Sequence, residues 1–121
     1  MALVRYPTNK PFPFSDAVAA NGFLFLSGQV SMTQDGQPLH GTITEQVNRI
    51  MTSVTETLAR GGLEMSDVVR AQVWLSDMAH FAEFNQAWRT WFSEGFPSRS
   101  VTTSKLAFDL DVEIEFQAAS R

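Results

Sequence analysis

Hydrophobic and polar residues alternate along the chain in patterns that predict two helices and several strands. An apolar stripe at helical spacing predicts a helix over residues 44–60, which Thr42 or Thr44 can cap and Gly61-Gly62 can end. A stripe of Phe and Trp predicts a second helix over residues 79–93, with Asp77 as its cap. Extended apolar segments predict strands at residues 23–26, 68–75, 100–106 and 112–118.

This order of elements is typical of an α+β domain with two helices on one face of a sheet. At 121 residues, the chain is expected to be a single domain over residues 1–121. The strand at 23–26 is apolar on both sides, since Leu24 and Leu26 alternate with Phe23 and Phe25. Because two helices can cover only one sheet face, a second subunit is predicted to cover the other.

Composition argues against several classes of site. The net charge is −4 and Lys and Arg form no run, so nucleic-acid binding is not expected. The chain has no Cys, and its two histidines, His40 and His80, stand alone, so a metal site is not expected. Residues 1–10 lack the apolar core of a signal peptide, and no apolar run approaches the ~20 residues of a membrane span. A cytoplasmic location without membrane contact is therefore expected.

Arg99 and Glu113 are the candidate chemical groups. Arg99 lies in the segment Pro97-Ser98-Arg99-Ser100, and its guanidinium can bind a carboxylate at two points. Glu113 and Glu115 share one side of the last strand, where a carboxylate near such a guanidinium could activate water. Together they indicate a pocket for a small carboxylic acid that undergoes hydrolysis. Each also has a plainer interpretation, as a surface ion-pair residue or as the solvated face of a strand.

Asn85 and Gly28 are two further candidates. Asn85 follows Phe81 by four residues within the aromatic stripe, where a polar group without partners costs ~1–3 kcal/mol. It is either a buried structural residue or part of a cleft. Gly28 is either a strand-end glycine that allows close packing or a backbone N–H that faces substrate. A serine nucleophile is not expected, because Ser27 and Ser100 lack a plausible His partner.

From about residue 12 to residue 118, the sequence resembles the reactive intermediate deaminase family, RidA, also called YjgF. The resemblance rests on Pro97-Ser98-Arg99-Ser100 followed by Val112-Glu113-Ile114-Glu115, on Ser27-Gly28-Gln29, and on the stretch from Val73 to Asn85. It implies a chorismate-mutase-like α+β fold with a mixed β-sheet. It also implies a homotrimer with sites between subunits, no cofactor, and hydrolytic deamination of 2-aminoacrylate-like enamines and 2-imino acids to 2-keto acids and ammonia.

The resemblance also implies a role for individual residues. Arg99 matches the arginine that binds the substrate carboxylate, and Glu113 matches the glutamate that holds a water at the reacting carbon. Gly28 and Asn85 match positions that line the cleft. Glu115 keeps its solvated or structural interpretation.

Phe14 and Val101 depart from the family pattern. Phe14 stands where many members have a tyrosine that lines the cleft, and Val101 stands where many have a cysteine. Both changes make the expected pocket less polar. They predict a preference for larger or more apolar imino acids.

Three other functions remain open. The chain could be a non-catalytic, 2-keto-acid-binding or chaperone-like trimer. It could be an endoribonuclease, although the acidic charge and the lack of paired histidines argue against this activity. A chorismate mutase is suggested by fold resemblance alone, and its dianionic substrate needs more than one arginine, of which Arg99 is the only clear candidate.

Overall fold

The structure, a computed structural model, describes residues 3–120 and contains a six-stranded sheet with two helices on one face. The strands and helices, in chain order, are β1 (Val4–Pro7), β2 (Ser15–Ala20), β3 (Phe23–Val30), α1 (Ile43–Arg60), β4 (Val68–Leu75), α2 (Phe81–Arg89), β5 (Ser98–Thr103) and β6 (Val112–Ala119). The spatial order is β1-β2-β3-β6-β4-β5. Only the β4–β5 pair is parallel among the named pairs, so the sheet is mixed. The predicted α+β fold class is confirmed.

The hydrophobic core lies between the sheet and the two helices. The predicted stripe of α1 is fully buried, as are the inward residues of β6: Val47, Ile50, Met51, Val54 and Leu58 on α1, and Val112, Ile114 and Phe116 on β6. Each such side chain contributes about 1.5–3 kcal/mol through burial. Trp88 of α2 stacks on Phe116 with 6.0 Å between ring centroids and 3° between ring planes. This contact fixes α2 against the middle of the sheet.

The ends of α1 are formed by the residues that the sequence indicates. The Thr42 side chain accepts a hydrogen bond from the backbone N–H of Glu45, and the Glu45 side chain accepts one from the backbone N–H of Thr42. This reciprocal capping box satisfies two N–H groups at the start of the helix. Gly62, at φ +76°, adopts the left-handed conformation that ends the helix.

The second helix is shorter than the prediction of residues 79–93, which is wrong at both ends. Asp77 does act as a cap, but its side chain accepts from the backbone N–H of Ala79 and so caps a 3₁₀ turn at Met78–His80. The α-helix begins only at Phe81. Beyond Arg89, backbone hydrogen bonds span three residues rather than four, and the chain leaves the helix in a tight turn.

Two β-bulges change which residues face the core. In β4, Val68 and Arg70 pair with consecutive residues of β6, so Val69 is an extra residue and its side chain is 44% exposed. Alternation along residues 68–75 predicts that Val69 shares the buried face of Ala71; this prediction is wrong, because the extra residue gives that place to Val68. A second bulge lies in β3 between Leu26 and Gln29. It allows β3 to continue to Val30 instead of ending at residue 26.

The N-terminal region, which the sequence predicts only as extended or turned, forms β1 and β2. These two strands pair with each other and extend the sheet beyond β3. β1 lies at the sheet edge, where a strand end at Pro7 is compatible with the missing proline N–H. At the other edge, β5 begins at Ser98 and ends at Thr103, two and three residues earlier than predicted.

The sheet face opposite the helices is left open in the described chain and carries aromatic residues. Phe23 and Phe25 alternate with the buried Leu24 and Leu26, and they are 45% and 42% exposed. Their rings lie 6.0 Å apart. The prediction that β3 is apolar on both sides is confirmed.

Candidate functional site

Arg99 is held on the helix side of the sheet by the register of β5. It pairs with Ala71 of β4, which in turn pairs with the buried Phe116 of β6, so all three side chains point toward the helices. The guanidinium carbon of Arg99 lies 5.4 Å, 5.6 Å and 5.9 Å from the ring centroids of Trp88, Phe84 and Phe81, respectively. These cation–π contacts offset part of the cost of removing the charge from water.

The Arg99 guanidinium is charged but unpaired. Burial lowers the pKa of Arg99, and the nearby charge of Arg89 lowers it further, although a guanidinium remains protonated at neutral pH. Within residues 3–120, no carboxylate lies within ion-pair distance of Arg99. Its rigid set of donors is therefore free to bind a carboxylate ligand.

A cavity of about 290 Å³ lies beside Arg99, between α2 and β5. It is lined by Asn85, Trp88, Arg89, Phe96, Pro97 and Arg99. The side-chain oxygen Oδ1 of Asn85 is buried and has no hydrogen-bond partner in the described part of the chain. A buried acceptor in this state costs about 1–3 kcal/mol. An unpaired donor group and an unpaired acceptor thus line one cavity, which favours the cleft interpretation of Asn85 and Arg99.

Glu113 and Gly28 meet on the open face of the sheet. A Cβ atom built on Gly28 would lie 2.6 Å from Oε2 of Glu113, so a side chain at this position would displace the carboxylate. Gly28 lies within the bulge of β3, opposite the strand that carries Glu113. Glycine leaves room here for a close approach, as the packing interpretation expects, and the group that approaches is the candidate carboxylate itself.

The surroundings of Glu113 favour its protonated form. Burial raises the pKa of Glu113, and the nearby charge of Glu115 raises it further. Glu115 is therefore more than a solvated residue of the same strand, because its charge acts on Glu113. A carboxyl group whose pKa is shifted toward neutrality can exchange a proton with a reacting group more readily than an ordinary glutamate.

Arg99 and Glu113 lie on opposite faces of the sheet within one chain. Arg99 is in register, through β4, with Phe116, whereas Glu113 lies three positions before Phe116 on β6. Since side chains alternate along a strand, an odd offset places them on different faces. The structure therefore brings Arg99 together with Asn85, and Glu113 together with Gly28, but it does not bring the two pairs together in one chain.

The other two predicted residues lie outside both pairs. Phe14 stacks on Phe12, with 6.4 Å between centroids, and Phe12 lies 6.2 Å from Phe108 in the same aromatic cluster. Val101 pairs with the buried Val73 and packs against the core. Neither residue lines the cavity beside Arg99. Their role in substrate binding stays a prediction.

Arg89 is a cavity residue that the sequence analysis missed. It follows Asn85 by four residues, one helical turn, and so lies on the same side of α2. That spacing is the signal that could have identified it. The argument that a dianionic substrate would find only one arginine, Arg99, therefore no longer holds.

A larger cavity, of about 380 Å³, lies between α1 and the N-terminal strands, but three of its four charged groups, those of Lys10, Asp16 and Arg60, have partners. Arg60 donates to Asp16 at 2.8 Å, and Lys10 donates to Gln29 at 3.2 Å. Within residues 3–120, no three His, Asp or Glu side chains come together as a potential metal site. The cavity beside Arg99 is thus the stronger candidate site.

Comparisons with known proteins show what the chain is similar to. Residues 8–120 match the family model described as Endoribonuclease L-PSP. The chain is 34% identical over 109 residues to Protein MMF1, mitochondrial, from Saccharomyces cerevisiae, which covers 89% of this chain and 75% of that protein. The crystal structure of yeast Mmf1 matches with a TM-score of 0.92 at 31% identity, over 99% of this chain and 100% of that one.

Two further relatives extend the comparison. The crystal structure of a YjgF-family protein from Neisseria meningitidis matches with a TM-score of 0.86 at 34% identity, covering 100% of this chain and 97% of that one. A protein from Capra hircus named 2-iminobutanoate/2-iminopropanoate deaminase is 32% identical over 89 residues, 73% of this chain and 65% of that protein.

Glu113→Gln is expected to raise the free energy of unfolding at neutral pH. The folded-state pKa of Glu113 lies above its ordinary value of 4.5, so its ionised form destabilises the folded state at pH values above the folded pKa. The increase in the free energy of unfolding should become smaller as pH falls through the pKa of Glu113 in the folded state. It should vanish below the pKa of Glu113 in the unfolded state. Denaturant unfolding of both proteins across this pH range measures it.

Glu115→Gln is the matched comparison, because it keeps Glu113 and removes only the nearby charge that raises the pKa of Glu113. It should raise the free energy of unfolding at neutral pH by less than Glu113→Gln does. A Glu113→Gln protein that is less stable than wild type at neutral pH would show that a partner stabilises the carboxylate.

Proposed function

The chain belongs to the RidA/YjgF family, and from that membership we propose that it hydrolyses reactive 2-imino acids and 2-aminoacrylate-like enamines to 2-keto acids and ammonia. The observation that carries the proposal is the pair of unpaired groups in one cavity, the Arg99 guanidinium and Oδ1 of Asn85. A 2-imino acid has a carboxylate next to an N–H group. Its acceptors and its donor complement the free donors of Arg99 and the free acceptor of Asn85.

Binding follows from this complementarity. Arg99 donates two hydrogen bonds to the carboxylate, and Asn85 accepts one from the substrate nitrogen. The three aromatic rings around the Arg99 guanidinium keep water away from it, which strengthens the ion pair. The reacting carbon is thereby held in one orientation toward the cavity mouth.

The proposed reaction needs one acid–base group. Protonation of the enamine carbon gives an iminium, and a water held by Glu113 adds to the iminium carbon while Glu113 takes up the water's proton. Glu113 then returns this proton to the nitrogen of the carbinolamine, ammonia leaves as the C–N bond breaks, and the hydroxyl group loses its proton to solvent as the C–O bond becomes the carbonyl of the keto acid. The imine is already unstable in water, so positioning and one acid–base group, worth about 10²–10⁴-fold, are sufficient.

The opposite placement of Arg99 and Glu113 supports a homotrimer with sites shared between subunits. In this arrangement, the Arg99–Asn85 pair of one chain faces the Glu113–Gly28 pair of its neighbour. The exposed aromatic residues of the open face are suited to burial in the same contact. We propose no nucleic-acid, membrane or cofactor partner for this assembly.

The alternatives are separated by direct assays. A non-catalytic keto-acid-binding or chaperone-like trimer would use the same cavity but would not accelerate ammonia release from imines generated in situ. The endoribonuclease activity in the family model's description finds little support in a net charge of −4. Incubation with single-stranded RNA tests it.

Location remains a separate question. Among residues 3–120, no helix has the length and apolar character needed to cross a membrane. One relative is named as a mitochondrial protein. A cytoplasmic location of this chain therefore stays a prediction.

Mixing two inactive variants is expected to restore activity if the site is shared. Arg99→Ala lacks one half of the site and Glu113→Gln lacks the other, so each alone should lose most turnover. In randomly mixed 1:1 trimers, about a quarter of the interfaces join an intact Arg99 to an intact Glu113. Refolding the variants together and assaying imine hydrolysis should recover about that fraction of wild-type activity.

The matched control mixes Arg99→Ala with Asn85→Ala. Both changes lie in the same half of the site, so no interface is restored and no recovery is expected. Light scattering on these samples should give the mass of a trimer. A folded monomer, or recovery in neither mixture, would contradict the shared site.

Arg99→Ala is expected to lower catalytic efficiency by roughly 30- to several-thousand-fold, because it removes a charge-assisted pair in a partly buried cavity. Arg99→Lys should also be badly impaired, because lysine keeps the charge but loses two-point binding. Steady-state imine hydrolysis measures both effects, and circular dichroism on the same samples checks folding. A folded Arg99→Ala protein with near wild-type activity would overturn the mechanism.

Gly28→Ala is expected to reduce activity by roughly tenfold or more while the chain remains folded, because the new Cβ must displace the Glu113 carboxylate. Gly62→Ala is the contrasting variant. Gly62 has a positive φ and open space around it, so alanine there should cost about 1 kcal/mol of stability and leave activity unchanged. Equal activity losses in the two variants would indicate a general effect on folding.

A further inference from the structure

The cavity beside Arg99 contains a second guanidinium that the proposed reaction does not use. Arg89 lines the cavity from α2, one helical turn after Asn85 and next to Trp88. The side chain is exposed at the cavity rim, whereas Arg99 lies half-buried at its wall. The two arginines thus approach one space from a helix and from a strand.

Neither arginine is neutralised by the rest of the described chain. Within residues 3–120, no Asp or Glu lies within ion-pair distance of Arg89 or Arg99. The two charges also act on each other, since Arg89 contributes to the lowered pKa of Arg99. A pair of like charges at one cavity is unfavourable until anions bind there. A monocarboxylate can neutralise only one of the two.

We infer that the site selects 2-imino acids with a second carboxylate at the end of the side chain, and that Arg89 binds this second carboxylate. The inference rests on the proposed function, because Arg99 must hold the carboxylate next to the imine. At about 290 Å³, the cavity lies at the small end of ligand pockets, which favours a short dicarboxylic acid over a nucleotide-sized dianion. Arg89 is then the residue that determines specificity, and Glu113 retains the water chemistry.

This inference changes the expectation drawn from Phe14 and Val101. Those residues predict a preference for apolar imino acids, but neither lines the cavity that contains both arginines. The charge of Arg89 at the cavity rim should outweigh the loss of a phenol hydroxyl at Phe14 and of a thiol at Val101. The preferred side chain is therefore acidic and short.

The test compares the 2-imino acids formed from glutamate and from norvaline by amino-acid oxidases. Both imines have five carbons. The side chain of the glutamate-derived imine ends in a carboxylate, and that of the norvaline-derived imine ends in a methyl group. Wild-type protein should hydrolyse the glutamate-derived imine with the higher catalytic efficiency. Arg89→Gln should lower the catalytic efficiency for the glutamate-derived imine roughly 10- to 100-fold. It should change the catalytic efficiency for the norvaline-derived imine by less than about twofold.

Lys105→Gln is the matched control, because it removes one positive charge from an exposed residue outside the cavity. It should leave the ratio of the two efficiencies unchanged. A binding arm uses the products, 2-oxoglutarate and 2-oxopentanoate, in calorimetric titrations of wild type and Arg89→Gln. Wild type should bind 2-oxoglutarate more tightly, and Arg89→Gln should remove that preference.

The outcomes separate this inference from the proposed function. If neither imine is hydrolysed faster than in the absence of protein, the deaminase function fails, and the binding arm alone decides the role of Arg89. If both imines are hydrolysed but Arg89→Gln leaves their ratio unchanged, the inference is overturned and the deaminase function stands. Equal losses for both imines would assign Arg89 a structural role and also overturn it.

Discussion

Alternation of side chains across the sheet is the constraint on which the candidate site depends. β4 pairs with β5 on one side and with β6 on the other, so its register determines which face each of their residues takes. Arg99 is thereby directed to the helices and Glu113 to the open face. A slip of one residue between β4 and β5 would bury a serine beside α2 in place of the arginine. The cation–π contacts of Arg99 with Phe84 and Trp88 resist that slip, because they form only when Arg99 lies on the row of residues that faces α2.

Three groups of the candidate site are held in states that do not help the chain to fold. The Arg99 guanidinium is partly desolvated without a counter-ion, Oδ1 of Asn85 is buried without a donor, and burial disfavours the ionised form of Glu113. Elsewhere in residues 3–120, the buried side-chain nitrogen and oxygen atoms have hydrogen-bond partners. Gln46, for example, bonds to Asp111 through both its amide nitrogen and its oxygen. This contrast points to ligand binding, since residues selected for stability alone would be satisfied.

The sequence predicted elements whose pattern is local and missed features that arise from contacts between distant segments. The stripe of α1 and a threonine cap at its start follow from residues within one segment, so both were predicted correctly. The extra residue at Val69 depends on how β4 pairs with β6, and no local pattern in residues 68–75 reveals it. Likewise, Arg99 and Glu113 could be identified from the resemblance, but their opposite placement requires the register of three strands. Arg89 was missed because the second helix was predicted from its stripe of Phe and Trp, and this apolar pattern assigns no role to the polar residues beside it.

The division of the candidate site between α2–β5 and β3–β6 has an evolutionary consequence. The residues proposed to recognise the anion and the residues that surround the carboxylate lie, within one chain, on different strands and on different faces. Under the proposed function, substitutions along the exposed side of α2 would change which acid is accepted while the Gly28–Glu113 contact stays intact. In the proposed homotrimer, gene duplication would add a further route, because a hybrid assembly would combine the recognition residues of one copy with the carboxylate of another.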